Sequence, residues 1–226
     1  MITPRRPGLI SAAELLDPAT VRPPGGTVAE LHAHTLPHSL DSGVWPEKLV
    51  EQAAWRGLDL VVLTEHNALW DQGTLRDLSE RCEVDLLAGM ELGTDAGHIL
   101  VYGLDHYSPE LVLLKRLRPI VEAEGAAMVL AHPMRPLSTG QYPPWDEIAS
   151  IFAGLEVVNG DHGDVVGGYY DRLAQDLCVT TIGGSDVHSR EAVGRVATVF
   201  PERVRDMETL LHALHGRRAR PADLRP

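Results

Sequence analysis

A parallel-stranded α/β barrel, closed or nearly closed, is the fold class that these 226 residues predict. Three observations carry that prediction. Strand-length runs rich in Val, Leu and Ile alternate with amphipathic helical patterns. The runs are apolar almost throughout, as in strands covered on both faces. Seven or eight such units share the length of one domain, which favours a barrel over an open sheet.

Residues 1–25 are rich in Pro and Gly and read as an extension with one short helix over 11–16. Strands are expected at 27–32, 58–64, 85–91, 97–103, 126–131, 155–159, 178–183 and 195–200. A helix over 46–56 is opened by Pro46 and closed by Gly57; others follow at 72–81, 109–124, 145–152, 165–176 and, closed by Gly216, 205–215. The stretch from Glu91 to His98 is too short for a helix, so those two strands join through a loop and the barrel is irregular. The barrel domain is taken as 26–216. The basic tail 217–226, with Arg217, Arg218, Arg220 and Arg225, reads as a frayed solvated end.

Composition narrows the function. Twenty Lys and Arg stand against 32 Asp and Glu, a net charge of −12. That charge repels long nucleic acid and anionic membranes and leaves room for a small anionic substrate at a locally positive site. Two cysteines, Cys82 and Cys178, allow one disulfide at most and fit a reduced, cytoplasmic protein. No apolar segment follows the basic pair Arg5-Arg6, so neither a signal peptide nor a membrane span is expected.

The 11 histidines carry the chemistry. Glu30, His32 and His34 alternate along the first strand and share one face. His66 ends the second strand after Glu65, Glu91 ends the third, His98 lies in the fourth and His132 ends the fifth. Asp186 and His188 follow the seventh. One His at a strand end is ordinarily a packed or solvated side chain. Six of them with two or three carboxylates, on strand ends that converge on one rim, form a metal site. Nitrogen and oxygen donors without Cys suit Zn, Mn or Fe.

Four stretches carry a family likeness: Glu30-Leu31-His32-Ala33-His34-Thr35 with Ser39-Leu40-Asp41-Ser42; Thr64-Glu65-His66-Asn67; Ala131-His132-Pro133; and Gly184-Ser185-Asp186-Val187-His188-Ser189. Gly89-Met90-Glu91 and Gly97-His98 fall between them in order. With these the chain resembles the polymerase and histidinol phosphatase (PHP) family of metal-dependent phosphoesterases over about residues 27–200. The resemblance implies a distorted, TIM-like (β/α)7 barrel and three metal positions. His32, His34 and Asp186 would hold one ion, and Glu91 would bridge it to a second held by His98 and His132. Asp41, His66 and His188 would hold the third. Two or three divalent ions would outweigh the carboxylates and attract phosphate. The implied chemistry is in-line attack on phosphorus by a metal-bridging hydroxide, with Glu91 and His132 the residues closest to it.

This chain departs from the family pattern in three places. Glu30 and Glu65 stand where Asp is commoner; both are expected behind the ligands, orienting ligand histidines. The stretch from Thr35 to Ser39 is one residue longer than usual, which leaves His38 as the alternative to Asp41.

Arg135 is the expected phosphate clamp, on a long loop 133–144, with Arg190 a second candidate. Asn159 is expected to contact substrate or cap a turn. His106 and His162 lie near the rim outside the motifs; either could protonate a leaving group, though a solvated loop His is the ordinary case. Trp45, Trp70, Tyr142 and Trp145 flank rim loops, where packing or stacking on a substrate ring are both open.

The leading function is hydrolysis of a small phosphomonoester. The alternatives are a phosphodiesterase or nuclease on nucleotides or short oligonucleotides, and a non-catalytic metal-binding regulatory module. An amidohydrolase with a carboxylated strand-end lysine is disfavoured, because both lysines, Lys48 and Lys115, sit in helical patterns. A homo-oligomer is compatible with the extension and the final helix.

Overall fold

The first strand sets the architecture. All seven residues of β1 (Thr27–Ala33) are buried, so it needs neighbours on both edges and cover on both faces. The computed structural model, which describes residues 15–133, 135, 145–162 and 168–225, supplies them. β2 (Leu60–His66) and β3 (Asp85–Thr94) follow β1 in parallel, then β4 (Gly97–Tyr102), β5 (Ala127–Leu130), β6 (Gly154–Asn159) and β7 (Thr180–Gly184). These seven run round the barrel in sequence order. The turn after β7 returns to β1: the His34 N–H donates to the Val187 carbonyl at 2.9 Å and the Val187 N–H to the His32 carbonyl at 3.1 Å.

The sheet is not wholly parallel. β4 runs antiparallel to both β3 and β5, because only a Thr94–Gly97 hairpin separates it from β3. β8 (Val196–Phe200) is antiparallel to β1, and β9 (Arg220–Asp223) to β8. The basic tail is therefore a sheet strand and not a frayed end. β8 lies directly on β7 at Gly183, where a Cβ would come within 2.6 Å of the Val196 side chain. The reversal of β4 has a functional consequence: its N-terminal end, with His98, lands on the rim that carries the C-terminal ends of the other barrel strands.

The helices end where their caps direct. α1 (Pro46–Arg56) closes on left-handed Gly57. α2 (Gln72–Cys82) is capped by Asp71, whose carboxylate accepts from the Thr74 N–H at 2.8 Å. The helix expected over 109–124 is split into a 3₁₀ turn, Pro109–Val112, and α3 (Leu114–Glu124). Asp95 of the β3–β4 turn accepts the Leu114 N–H at 2.8 Å and fixes the new start. α4 is Trp145–Ile151 and α5 Tyr169–Leu177; residues 165–167 of the helix expected over 165–176 lie outside the described residues. α6 (Met207–His215) carries a capping box between Asp206 and Thr209.

Residues 11–14 of the expected first helix lie outside the described residues; Leu15 and Leu16 are not helical, and a 3₁₀ turn follows at Pro18–Thr20. The segment is tied to the barrel: the Leu16 N–H donates to the Leu224 carbonyl, and Arg56 to that of Leu16. Cys82 and Cys178 are both free. Among the described residues no helix is long and apolar enough to cross a membrane.

Candidate metal centre

Strand alternation delivers the floor of the site. His32 and His34 share one face of the end of β1, both fully buried, with ring centroids 5.1 Å apart. Glu91 of β3 and Asp186 after β7 face them. His32 Nε2 is 3.3 Å from Asp186 Oδ1 and 3.6 Å from Glu91 Oε2; His34 Nε2 is 3.2 Å and 3.3 Å from the same two atoms. Beside this group, His98 Nδ1 and His132 Nε2 lie 2.7 Å and 3.0 Å from Glu91 Oε1. On the other side His66 Nδ1 is 2.9 Å from Glu91 Oε2. Its Nε2 is 3.1 Å from Asp41 Oδ2, and His188 Nε2 is 3.4 Å from that atom. Glu91 thus stands between two clusters of imidazoles, one carboxylate oxygen toward each.

His32 Nε2, His34 Nε2 and Glu91 Oε2 are buried without a hydrogen-bond partner. Such atoms are costly unless something fills the space between them. Neutral imidazole lone pairs converging on carboxylate oxygens suit a divalent cation. His32, His34 and Glu91 form one group of the required spacing, Glu91, His98 and His132 a second, and His34, His66 and His188 a third. The donor set therefore fits a metal centre.

Burial by itself would strip the charge from these side chains. Burial pulls the His32 pKa down, but Asp186, Glu156 and Glu91 outweigh it and hold it well above the usual imidazole value. For Glu91 burial pushes upward, and the His32 charge with the close approach of the His132 and His34 rings keeps it well below the carboxylate range.

The residues behind the ligands differ from expectation. Glu30 does not touch a histidine ring. It is fully buried and accepts the Ser185 N–H at 2.8 Å and the His32 N–H at 3.2 Å, and burial pushes its pKa up to about 7. Glu65 holds the loop after β1 through the Thr35 N–H at 2.9 Å, the Ser39 hydroxyl at 2.5 Å and the Trp70 indole N–H at 2.7 Å. The ring-orienting carboxylate is Glu156 of β6. Its Oε1 is 2.9 Å from His32 Nδ1, while Oε2 accepts the His132 N–H at 2.8 Å and the Asn159 amide at 2.9 Å. A proton fixed on Nδ1 leaves the His32 Nε2 lone pair for the centre. An acid inside an apolar strand run was the only sequence signal for this role. Gly184 makes the approach possible: a Cβ there would lie 2.5 Å from both Glu156 Oε1 and His32 Cβ.

Two ligand candidates hold left-handed backbone, His132 with φ of 27° and Asp186 with φ of 54°. Neither is glycine, so each costs of order 1–3 kcal/mol. The fold holds them there through the Glu156 contact to the His132 N–H and a 2.9 Å contact between His188 Nδ1 and the Asp186 carbonyl.

A cavity of about 260 Å³ opens above this floor, lined by Asp41, His66, Glu91, His98, His132, Arg135, Asp161, His162, Asp186 and His188. Arg135 is on its wall; most of the loop expected around it, 134 and 136–144, with Tyr142, lies outside the described residues. Arg190 does not line the cavity: its Nε donates to Gln52 of α1 at 3.0 Å. Asn159 is fully buried and caps the turn after β6, accepting the Asp161 and His162 N–H groups at 2.9 and 3.0 Å. Its amide donates to Glu156 at 2.9 Å. His38 packs edge-on against Trp70, while Asp41 reaches the histidines. Trp70, tied to Glu65, braces the loop. His162, outside the matched motifs, is on the cavity wall.

The PHP domain model matches residues 30–167, and the PHP-associated model residues 171–219. This chain belongs to the PHP family. A region of the polyketide synthase GfsA of Streptomyces halstedii is 28% identical over 175 residues, 77% of this chain and 2% of that protein. The chain thus spans a small fraction of that relative's length. A solved two-domain protein from Bacteroides vulgatus, containing a predicted PHP-like metal-dependent phosphoesterase, covers 98% of this chain and 69% of its own at 23% identity and a TM-score of 0.68. The lesion-specific endonuclease PfuEndoQ from Pyrococcus furiosus covers 84% of this chain and 56% of its own, at 14% identity and a TM-score of 0.57. At these identities the likeness to both structures is one of fold, and the fold is the distorted TIM-like barrel of PHP proteins.

Proposed function

We propose that this PHP protein hydrolyses a small phosphorylated substrate, in the first instance a phosphomonoester, at a centre of two or three divalent ions. The observation that carries the reading is the convergence of partnerless His32 Nε2, His34 Nε2 and Glu91 Oε2 beneath a cavity of about 260 Å³. His32, His34 and Asp186 are assigned to one ion, His98 and His132 to a second, His66, His188 and Asp41 to a third, with Glu91 shared between the first two. Such ions supply charge that activates water and stabilises phosphoryl oxygens. The protein's own share is orientation. Glu156 fixes the His32 ring, Glu30 and Glu65 anchor the loops after β7 and β1, and Arg135 offers a two-pronged grip on phosphate.

A cavity of this size and a net charge of −12 support a small substrate over a long polyanion. The likeness to an endonuclease keeps a phosphodiester as the second reading. Phosphate release by the Mn²⁺-loaded protein, from a panel of monoesters and a matched diester, separates the two. Release from monoesters that His132→Ala abolishes is the expected result. Full activity in His132→Ala would overturn the site assignment, and cleavage confined to the diester would replace the monoester reading.

A further inference from the structure

We propose that His162 is a catalytic contact to the leaving group, its Nε2–H hydrogen-bonding the ester oxygen that departs with the alcohol. The inference rests on the phosphoesterase reading above and adds a residue that the PHP motifs do not contain.

Elimination and placement both lead to it. Of the ten residues lining the cavity, four are carboxylates and four are imidazoles already assigned to ions. Arg135 and His162 are the remaining N–H donors among the described lining residues. The guanidinium fork matches the paired non-bridging oxygens of a phosphoryl group. That leaves a single ring N–H for the single bridging oxygen.

The ring is well held for the task. Asn159 accepts the backbone N–H of both Asp161 and His162, and is itself tied to Glu156 under the metal ligands. The His162 ring sits 4.9 Å from that of His132. Its Nε2 is 3.4 Å from Asp186 Oδ2, the oxygen turned away from His32 and His34, which face Oδ1. The side chain keeps 24% of its surface exposed, so it has an open edge to the cavity. Asp186 thus turns one oxygen to the imidazole cluster and leaves the other beside His162 without a hydrogen bond to it, so the Nε2–H is not committed to Asp186 and the ring stands next to the floor of the cavity.

The step balances as hydrolysis. A water oxygen bonds to phosphorus, the bond from phosphorus to the alcohol oxygen breaks, and its electron pair stays on that oxygen. The departing oxygen takes its proton from solvent water, and the attacking water loses one in exchange. The His162 hydrogen bond strengthens as charge gathers on the leaving oxygen, so it acts in the transition state.

The test uses Mn²⁺-loaded wild type, His162→Ala and His162→Gln. Each is assayed on an alkyl phosphate, whose leaving oxygen is strongly basic, and on p-nitrophenyl phosphate, whose leaving oxygen is not. His162→Ala is expected to lower kcat on the alkyl ester by roughly 10–100-fold, the worth of one hydrogen bond to a charged group, and on the nitrophenyl ester by less than threefold. His162→Gln, which keeps an N–H, is expected to restore part of the loss. Bound metal per chain and affinity for inorganic phosphate should match wild type in both variants. Equal losses on the two esters, a change confined to KM, a fall in metal content or no loss at all would each overturn the proposal. A fall in metal content would instead make Asp161, His162 and Asp186 a cation site. Wild-type inactivity on both esters would overturn the phosphoesterase reading and this inference with it.

Discussion

Replacing Glu156 by Gln should weaken metal binding although Glu156 is not itself a proposed ligand. Three donors point at this buried carboxylate: His32 Nδ1–H at Oε1, and the His132 N–H and Asn159 amide at Oε2. Gln offers one oxygen and one NH₂. With NH₂ at the Oε1 position, it faces His32 Nδ1, which must become an acceptor. The ring proton then moves to Nε2, the atom aimed at the centre. With NH₂ at the Oε2 position, two buried N–H groups lose their acceptor. Either arrangement costs about 1–3 kcal/mol. The first converts that cost directly into metal affinity, roughly a 10–100-fold loss at about 1.4 kcal/mol per decade. Competition with a chromophoric chelator, read alongside metal content per chain and circular dichroism, measures it. A Glu156→Gln protein that folds and binds Mn²⁺ within twofold of wild type would refute the orienting role.

Four further outcomes are expected. Gly184→Ala should lower both stability and metal affinity, by about 1–3 kcal/mol in stability, because its Cβ would meet Glu156 and His32 at 2.5 Å; denaturant titration and the same chelator assay check it. Arg135→Ala should raise KM for a monoester about 10-fold or more with kcat less affected, if the guanidinium grips phosphate throughout the reaction. Removing metal with a chelator should lower Tm by several degrees, since an ion at about 100 times its Kd contributes roughly 2.7 kcal/mol; an unchanged melting curve would count against a bound ion. Asp206→Ala should cost about 1 kcal/mol at pH 7 through loss of the α6 cap. Hydrogen bonds from Thr209 hold Asp206 below its usual pKa. The cap therefore stabilises above the unfolded value and is lost as pH falls through the folded one, so the gap between variant and wild type should close in acid.

Much of this protein is legible along the chain because the information is local. The His-x-His pair shares a face by strand alternation, and Pro46, Gly57 and Gly216 mark helix ends by backbone chemistry. The nine proposed ligands fall on strand ends or the loops after them, and a barrel gathers such ends on one rim. What the sequence could not determine depends on pairing between distant segments. The direction of β4 follows from a hairpin, and it alone brings His98 to the rim. The tail's apolar content is too low to announce a strand, yet β8 offers an open edge that Arg220–Asp223 fills. Glu156 reaches His32 across 124 residues of sequence, a contact fixed by the barrel's closure between β7 and β1 and by the bare backbone of Gly184. Glu30, two residues from His32 along the chain, was the nearer carboxylate in sequence, but strand geometry directs it to backbone amides. Residue type and local period thus determined which atoms could bind a metal. Only the closed sheet decided that Glu156 meets the His32 ring and that His162 stands on the wall of the cavity above it.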